Sequence, residues 1–255
     1  MAEAHVTTDL CDGILTVTLT RSDKKNALTQ AMYTAIADAL DRAAAEAAIR
    51  VVLLQGSGGA FTAGNDLGDF MAGDLGGDGG EAPVFRVLRT LVDFPKPLVA
   101  AVEGPAVGIG TTILLHCDLV VAHARTRFAM PFVNLGLCPE AASSVLLAKI
   151  MGHVRAAELL LLGDPFDAAT AHAYGLVNAV TEGDVGAAAR SLAERLAAKP
   201  PASVRLTKEL MRKGERELLH RVIREEAELF AARLGSDEAK EAFTAFAERR
   251  PPDFS

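Results

Sequence analysis

Strand, glycine turn and apolar helix follow one another at two places in this chain, and that repetition restricts the fold more than any other feature. In the downstream copy, Leu98 to Val102 is a short apolar run bounded by Pro97 and Gly104, the pattern of a strand covered on both faces. Gly104-Pro105 turns the chain, and Gly108-Ile109-Gly110 opens an apolar helix from Thr111 to Leu115. In the upstream copy, Arg50 to Gln55 reads as a buried strand. A glycine-rich turn follows from Gly56 to Leu67, with Asn65 or Asp66 placed to cap a short helix to about Met71. A helix start carries free N–H groups and a partial positive charge. Flanking glycines let a ligand approach that backbone. Each turn can therefore offer one N–H, and two such groups aimed at one point stabilise a developing oxyanion. A dinucleotide fingerprint is excluded by its missing third glycine, and a phosphate loop by the lack of Gly-Lys-Ser/Thr.

The rest of the chain reads as α/β. Val6 to Leu10 and Gly13 to Thr20 form a hairpin around Asp12-Gly13, the second strand half-exposed by its alternation with Thr. Arg21 to Asn26 is a polar loop. Thr29 caps a helix to about Ala47, with Met32, Ile36, Leu40 and Ala43 on one face. Gly73 to Gly80 is too rich in glycine to pack and is expected to be a mobile loop. Helices are predicted over Val84 to Val92, Glu140 to Ile150 and Arg155 to Leu162, with a strand over Asp118 to Ala122. From Asp184 onward nearly everything is helical. The chain is therefore divided near Lys199-Pro200-Pro201 into an α/β core, residues 1–199, and a helical region, residues 200–255. The second is too thin for a core of its own and is expected to pack on the first or on another subunit.

Size and composition narrow the function. The 255 residues allow a substantial core, and 50% hydrophobic with 23% charged is ordinary for a globular protein. A net charge of −7 speaks against a general nucleic-acid binder. No apolar run reaches membrane-spanning length. Cys11, Cys117 and Cys138 are odd in number and widely spaced, which argues against a disulfide framework or a zinc site and fits a reducing compartment. No secretory pattern opens the chain and no Ser-Lys-Leu address ends it, so the expectation is a cytoplasmic protein. The histidines show no metal-ligand spacing.

These residues resemble the crotonase superfamily of acyl-CoA enzymes along nearly the whole chain. Asp23 to Leu28 is similar to its loop after the first hairpin, Ala60 to Leu67 to its first oxyanion motif, and Ala101 to Asp118 to its second. Asp167 to Val177 and Ala242 to Phe254 are similar to its later segments. The resemblance implies an α/β spiral of strand–strand–helix units with a C-terminal helical trimerisation region. It implies a homotrimer or dimer of trimers, and oxyanion N–H groups on Ala63 and Ile109. It also implies a coenzyme A thioester as substrate, with no separate cofactor and no metal. Lys24 and Lys25, with Ala60, Gly64, Asp66 and Leu67, are then expected to meet coenzyme A. Phe132 and Leu135 are expected to meet the acyl group.

The two glutamates of the family's hydratases fall here on Thr112 and Phe132, neither of which ionises. Hydrating a double bond is best served by two carboxylates. One remains nearby: Glu140, in Pro139-Glu140-Ala141-Ala142-Ser143-Ser144. That segment is similar to the peroxisomal-type Δ3,Δ2-enoyl-CoA isomerases, whose base is the Glu of Pro-Glu-x-x-Ser-Ser. A Glu after Pro is equally suited to a helix's first turn through the macrodipole. The resemblance therefore favours an isomerase. A hydratase or thioester hydrolase is the alternative within enzymes, and a non-catalytic trimeric acyl-CoA binder the alternative outside them.

Overall fold

The computed structural model describes residues 5–66, 68 and 82–255. Leu67, the expected helix end at Met71 and the expected loop Gly73 to Gly80 lie outside the described residues.

Strands β1 (Val6–Cys11) and β2 (Ile14–Leu19) form the expected antiparallel hairpin. Helix α1 (Gln30–Ala45) follows, its first turn capped by the Thr29 hydroxyl, which accepts from Met32 N–H. Strand β3 (Val51–Gly56), helix α2 (Pro83–Asp93) and strand β4 (Leu98–Val102) come next. Beyond β4 lie β5 (Pro105–Val107), the short helix α3 (Ile109–Thr112), β6 (Leu119–His123) and β7 (Arg127–Ala129). The remaining elements are α4 (Ser143–Met151), α5 (His153–Leu162), β8 (Phe166–Asp167), α6 (Ala168–Ala173), β9 (Ala179–Thr181), α7 (Val185–Ala197), α8 (Pro201–Arg212), α9 (Arg216–Leu234) and α10 (Asp237–Glu248).

The larger sheet has the order β1-β2-β3-β4-β6-β9 and is parallel from β2 onward; β5, β7 and β8 make a smaller one. Strand β4 is buried at every residue because the sheet is covered on both faces. Leu98, Ala100 and Val102 join the main core, while Val99 and Ala101 meet Val185, Ala189 and Ala193 on one stripe of α7. In β2 the expected alternation is present, with Leu15, Val17 and Leu19 buried and Thr16 and Thr18 half-buried, and Ile14 is buried as well; β1 is the exposed edge. Two expectations shift. The helix after Gly108 is α-helical only from Ile109 to Thr112 and tightens into a 3-10 turn over Ile113–His116. Glu140 does not begin α4, which starts at Ser143.

The C-terminal helices are tied to the front of the chain. The buried Lys208 ammonium of α8 donates to Asp118 at 2.6 Å and to the Lys96 carbonyl at 2.7 Å. Helix α9 lies against α2, and its Phe230 meets Phe132 edge-on with ring centres 6.5 Å apart. Both oxyanion-type turns emerge at the carboxyl ends of β3 and β4, the end at which parallel sheets hold ligands.

Candidate active site

The two glycine turns are knitted together by backbone bonds. Thr62 N–H donates to the Pro105 carbonyl at 3.0 Å, and Val107 N–H donates to the Thr62 carbonyl at 3.1 Å. Glycine is required where they touch. A Cβ on Gly110 would stand 2.6 Å from Thr62 Cγ2, and one on Gly64 would stand 2.9 Å from the Val107 carbonyl oxygen.

These bonds decide which N–H groups face the cleft. Ala63 N–H donates to the Lys25 carbonyl at 2.9 Å, so it is not available to an oxyanion, contrary to the reading from the motif. Gly64 N–H donates to the Thr62 hydroxyl, and Asp66 N–H to the Leu28 carbonyl. Asn65 N–H is left without an acceptor among the described residues. The Asn65 side chain is held in turn by the Tyr33 hydroxyl, which donates to its Oδ1. In the second turn, Ile109 occupies the first position of α3, where no carbonyl one turn back is in helical register. Its N–H also has no acceptor among the described residues. Asn65 and Ile109 line one cleft of about 500 Å³, together with Phe132 and Leu135.

An adjoining cleft of about 620 Å³ shares Asn65 and Phe230 with the first. Its walls are largely apolar, built from Leu28 and Tyr33, Phe85 and Leu88 of α2, and Ile223 of α9. Glu140 opens onto it. The carboxyl accepts a hydrogen bond from the Thr112 hydroxyl. Burial pushes it up to about 8, the Thr112 bond opposes that rise, and the negative charge of Glu226 adds to it. Tyr33, buried and facing the same carboxyl, is held well above its ordinary value, by burial first and Glu140 second, so its hydroxyl stays a donor.

Glu140 precedes a strained segment. Ala141 and Ala142 both lie in the left-handed region, at φ 59° and 57°, which costs roughly 1–2 kcal/mol per non-glycine residue. Tertiary bonds hold them there. His116 Nε2 meets the Ala141 carbonyl at 2.9 Å, and burial pushes the His116 imidazole down to about 4, so it is neutral and donates. Glu226 of α9, itself buried, accepts from Ala142 N–H at 2.6 Å and from Ser144 N–H at 3.2 Å, and also bonds the Ser144 hydroxyl. It caps α4 from another helix, since Ala142 supplies no side-chain cap.

The residues expected to meet coenzyme A have differing surroundings. Lys24 and Lys25 are exposed and line neither cleft. Ala60 is buried, and its carbonyl accepts from the Asn26 amide at 2.7 Å. Asp66 lines the Glu140 cleft and pairs with Arg21 at 2.6 Å. Asn65 N–H, Thr112, Tyr33 and Glu226 were not anticipated as parts of the site. Glu226 did leave a signal, since it continues the stripe Leu219, Val222, Ile223 that turns out buried on α9. Among the described residues, no three His, Cys, Asp or Glu side chains are grouped to hold a metal ion, and no helix is long and apolar enough to cross a membrane.

A parallel sheet that delivers two unengaged N–H groups and one desolvated carboxyl to adjoining clefts defines a crotonase-type α/β fold. Residues 9–255 match the sequence pattern of the enoyl-CoA hydratase/isomerase family. The chain is 40% identical over 244 residues to "Enoyl-CoA delta isomerase 2" of Rattus norvegicus, covering 94% of this chain and 62% of that protein. It thus spans less than two thirds of that relative's length. Among solved structures, an enoyl-CoA hydratase/isomerase from Pseudoalteromonas atlantica superposes with a TM-score of 0.93 at 41% identity, covering 98% of this chain and 100% of that one. OdaA of Pseudomonas aeruginosa does so with a TM-score of 0.90 at 48% identity, covering 96% and 99%. The chain belongs to the enoyl-CoA hydratase/isomerase family.

Proposed function

We propose that the protein is a Δ3,Δ2-enoyl-CoA isomerase that works with one base. The observation that carries this reading is the buried Glu140 carboxyl in a largely apolar cleft beside the two unengaged N–H groups, the other carboxyl of that cleft, Asp66, being paired with Arg21. The positions that would carry a second carboxylate in a hydratase are Thr112 and Phe132. In the ionised form, Glu140 removes a proton from C2 of a 3-enoyl thioester. The electron pair of that C–H bond moves toward the thioester carbonyl, whose oxygen becomes negative between Asn65 N–H and Ile109 N–H. The C3–C4 π pair then takes the proton from Glu140 at C4. The carbonyl re-forms, the double bond lies between C2 and C3, and Glu140 is again ionised. No water is consumed. Each oxyanion donor is worth about 2.7–4 kcal/mol of barrier. A base whose ordinary value is raised toward neutrality both accepts and returns a proton readily.

The remaining assignments belong to the same reading. Phe132 and Leu135 bound the thioester end of the cleft, while Lys24 and Lys25 reach the nucleotide end of coenzyme A from the loop that touches the first turn. Residues 200–255 form the oligomerisation region of a homotrimer or dimer of trimers. Exposed Leu206, Leu210 and Met211 on α8 support that role.

The test is turnover of a 3-enoyl-CoA and hydration of a 2-enoyl-CoA by wild type and Glu140→Gln. The isomerase reading expects conversion of the first by wild type and at least about a hundredfold loss in the variant. Fast hydration of the second, or equal activity in both proteins, overturns it.

A further inference from the structure

We infer that Glu226 is a positioning residue for the base: from the C-terminal helix α9 it grips the segment Ala142–Ser144 and so fixes where Glu140 stands in the cleft. This rests on the reading of Glu140 as the base.

The geometry carries the argument. Glu140 is followed at once by two alanines in the left-handed region. Nothing in an alanine favours that conformation, so it persists only where other groups over-determine it. Two clamps do so. His116 takes the Ala141 carbonyl, and Glu226 takes Ala142 N–H on one carboxylate oxygen and the Ser144 N–H and hydroxyl on the other. Burial raises the Glu226 value, and the three hydrogen bonds that both its oxygens accept oppose that rise in favour of the ionised form. A buried carboxylate whose partners are all donors on the segment behind the base has a second effect, because it faces Glu140 with a like charge. The groups around Glu140 are Tyr33 of α1, Asp66 with Arg21 at the first turn, Thr112 of α3, His116 at the end of the 3-10 turn that follows α3, Cys138 on the loop before Glu140, and Glu226 of α9. Of these, Glu226 bonds the backbone of the base's own segment through a charge. The same helix brings Ile223, Ala227 and Phe230 to the cleft. One element therefore sets both the wall and the base.

The experiment compares wild type, Glu140→Gln, Glu226→Gln, Glu226→Asp and Ser144→Ala in the full-length protein, as kcat and KM for a 3-enoyl-CoA across pH, with melting curves to establish folding. Glu226→Gln keeps the shape but removes the charge and sets an amide NH2 against a donor. The expected result is a fall in kcat of about tenfold or more with KM within about twofold, because geometry at the reacting atom is lost and binding is not. The acid limb of the profile moves to lower pH in Glu226→Gln, because a like charge has gone from beside the base. Glu226→Asp keeps the charge with a shorter reach, so it lowers kcat without that movement. If Glu226→Gln does not fold, Ser144→Ala carries the test, with a fall in kcat of about threefold and KM unchanged. Wild-type kcat and acid limb in a folded Glu226→Gln overturn the inference, as does a loss confined to KM or wild-type kcat in Ser144→Ala. Full activity in Glu140→Gln overturns the reading of the base itself, and this inference with it.

Discussion

Replacing Glu140 by Gln makes the protein's stability less dependent on pH in a defined window. The Glu140 carboxyl has an ordinary value of 4.5 and is pushed up to about 8 in the folded chain. Below the lower value both folded and unfolded chains hold the proton, and the group adds no pH dependence. Between the two, the folded chain keeps a proton that the unfolded chain has released. Stability therefore falls as pH rises through that window, by up to about 1.36 kcal/mol per pH unit. Across the window this amounts to roughly 4–5 kcal/mol for a dry carboxyl, and to about half of that where water in the open cleft screens the charge. Gln has the same shape, accepts from the Thr112 hydroxyl through its Oε1, and does not titrate. Urea unfolding of both proteins at intervals from about pH 4 to about pH 9 gives the difference directly, because the other titrating groups are common to both. The variant should gain on wild type steadily as pH rises and level off above about pH 8. A difference that stays constant over the range would falsify the buried, protonated carboxyl. On the proposed isomerase reading the same ionisation works the other way on turnover, since there only the ionised Glu140 removes a proton. Wild-type activity should climb with pH across the window in which stability declines.

Thr112→Val removes the hydrogen bond that holds the Glu140 value down. The acid limb of kcat/KM should therefore move above about pH 8, and a movement to lower pH would contradict this account. Gly110→Ala places a Cβ 2.6 Å from Thr62 Cγ2 and separates the two turns. Turnover should fall by about a hundredfold, the scale of one lost oxyanion donor, with the melting temperature reduced only modestly. Wild-type kcat in this variant would show that the close approach of the turns is dispensable. Lys208→Ala leaves Asp118 and the Lys96 carbonyl without their shared ammonium and should cost roughly 3 kcal/mol in chemical denaturation. A loss too small to measure would mean that water replaces the ammonium freely.

How much of this was legible in the sequence depended on how local each cause was. Strand β4 could be read because cover on both faces demands an unbroken apolar run, and α1 because Thr29 supplies its own cap. Glu140 could be singled out only through resemblance, since Pro139-Glu140-Ala141-Ala142-Ser143-Ser144 is similar to the isomerase segment and the positions of the two hydratase glutamates are Thr112 and Phe132 here. The free N–H of the first turn could not. Whether Ala63 or Asn65 faces the cleft is decided by Lys25 and Leu28, whose carbonyls take the Ala63 and Asp66 N–H groups of a turn far along the chain. The start of α4 misled for a related reason. Pro139-Glu140 has the local chemistry of a first helical turn, yet Ala141 and Ala142 leave the helical region because His116 and Glu226 hold them elsewhere. Glu226 lies between these cases. Its place on the apolar stripe of α9 is a local fact, and a carboxylate on a buried stripe must find donors. Backbone N–H groups at a helix start are the donors least satisfied by their own element. A helix whose Ncap is alanine has none of them capped by its own side chain. Pairing the surplus acceptor of α9 with the deficient start of α4 follows from those two facts together. The second fact comes only from the structure, since the sequence alone puts the start of α4 at Glu140, and so this link between the tail helix and the Glu140 segment was not legible beforehand.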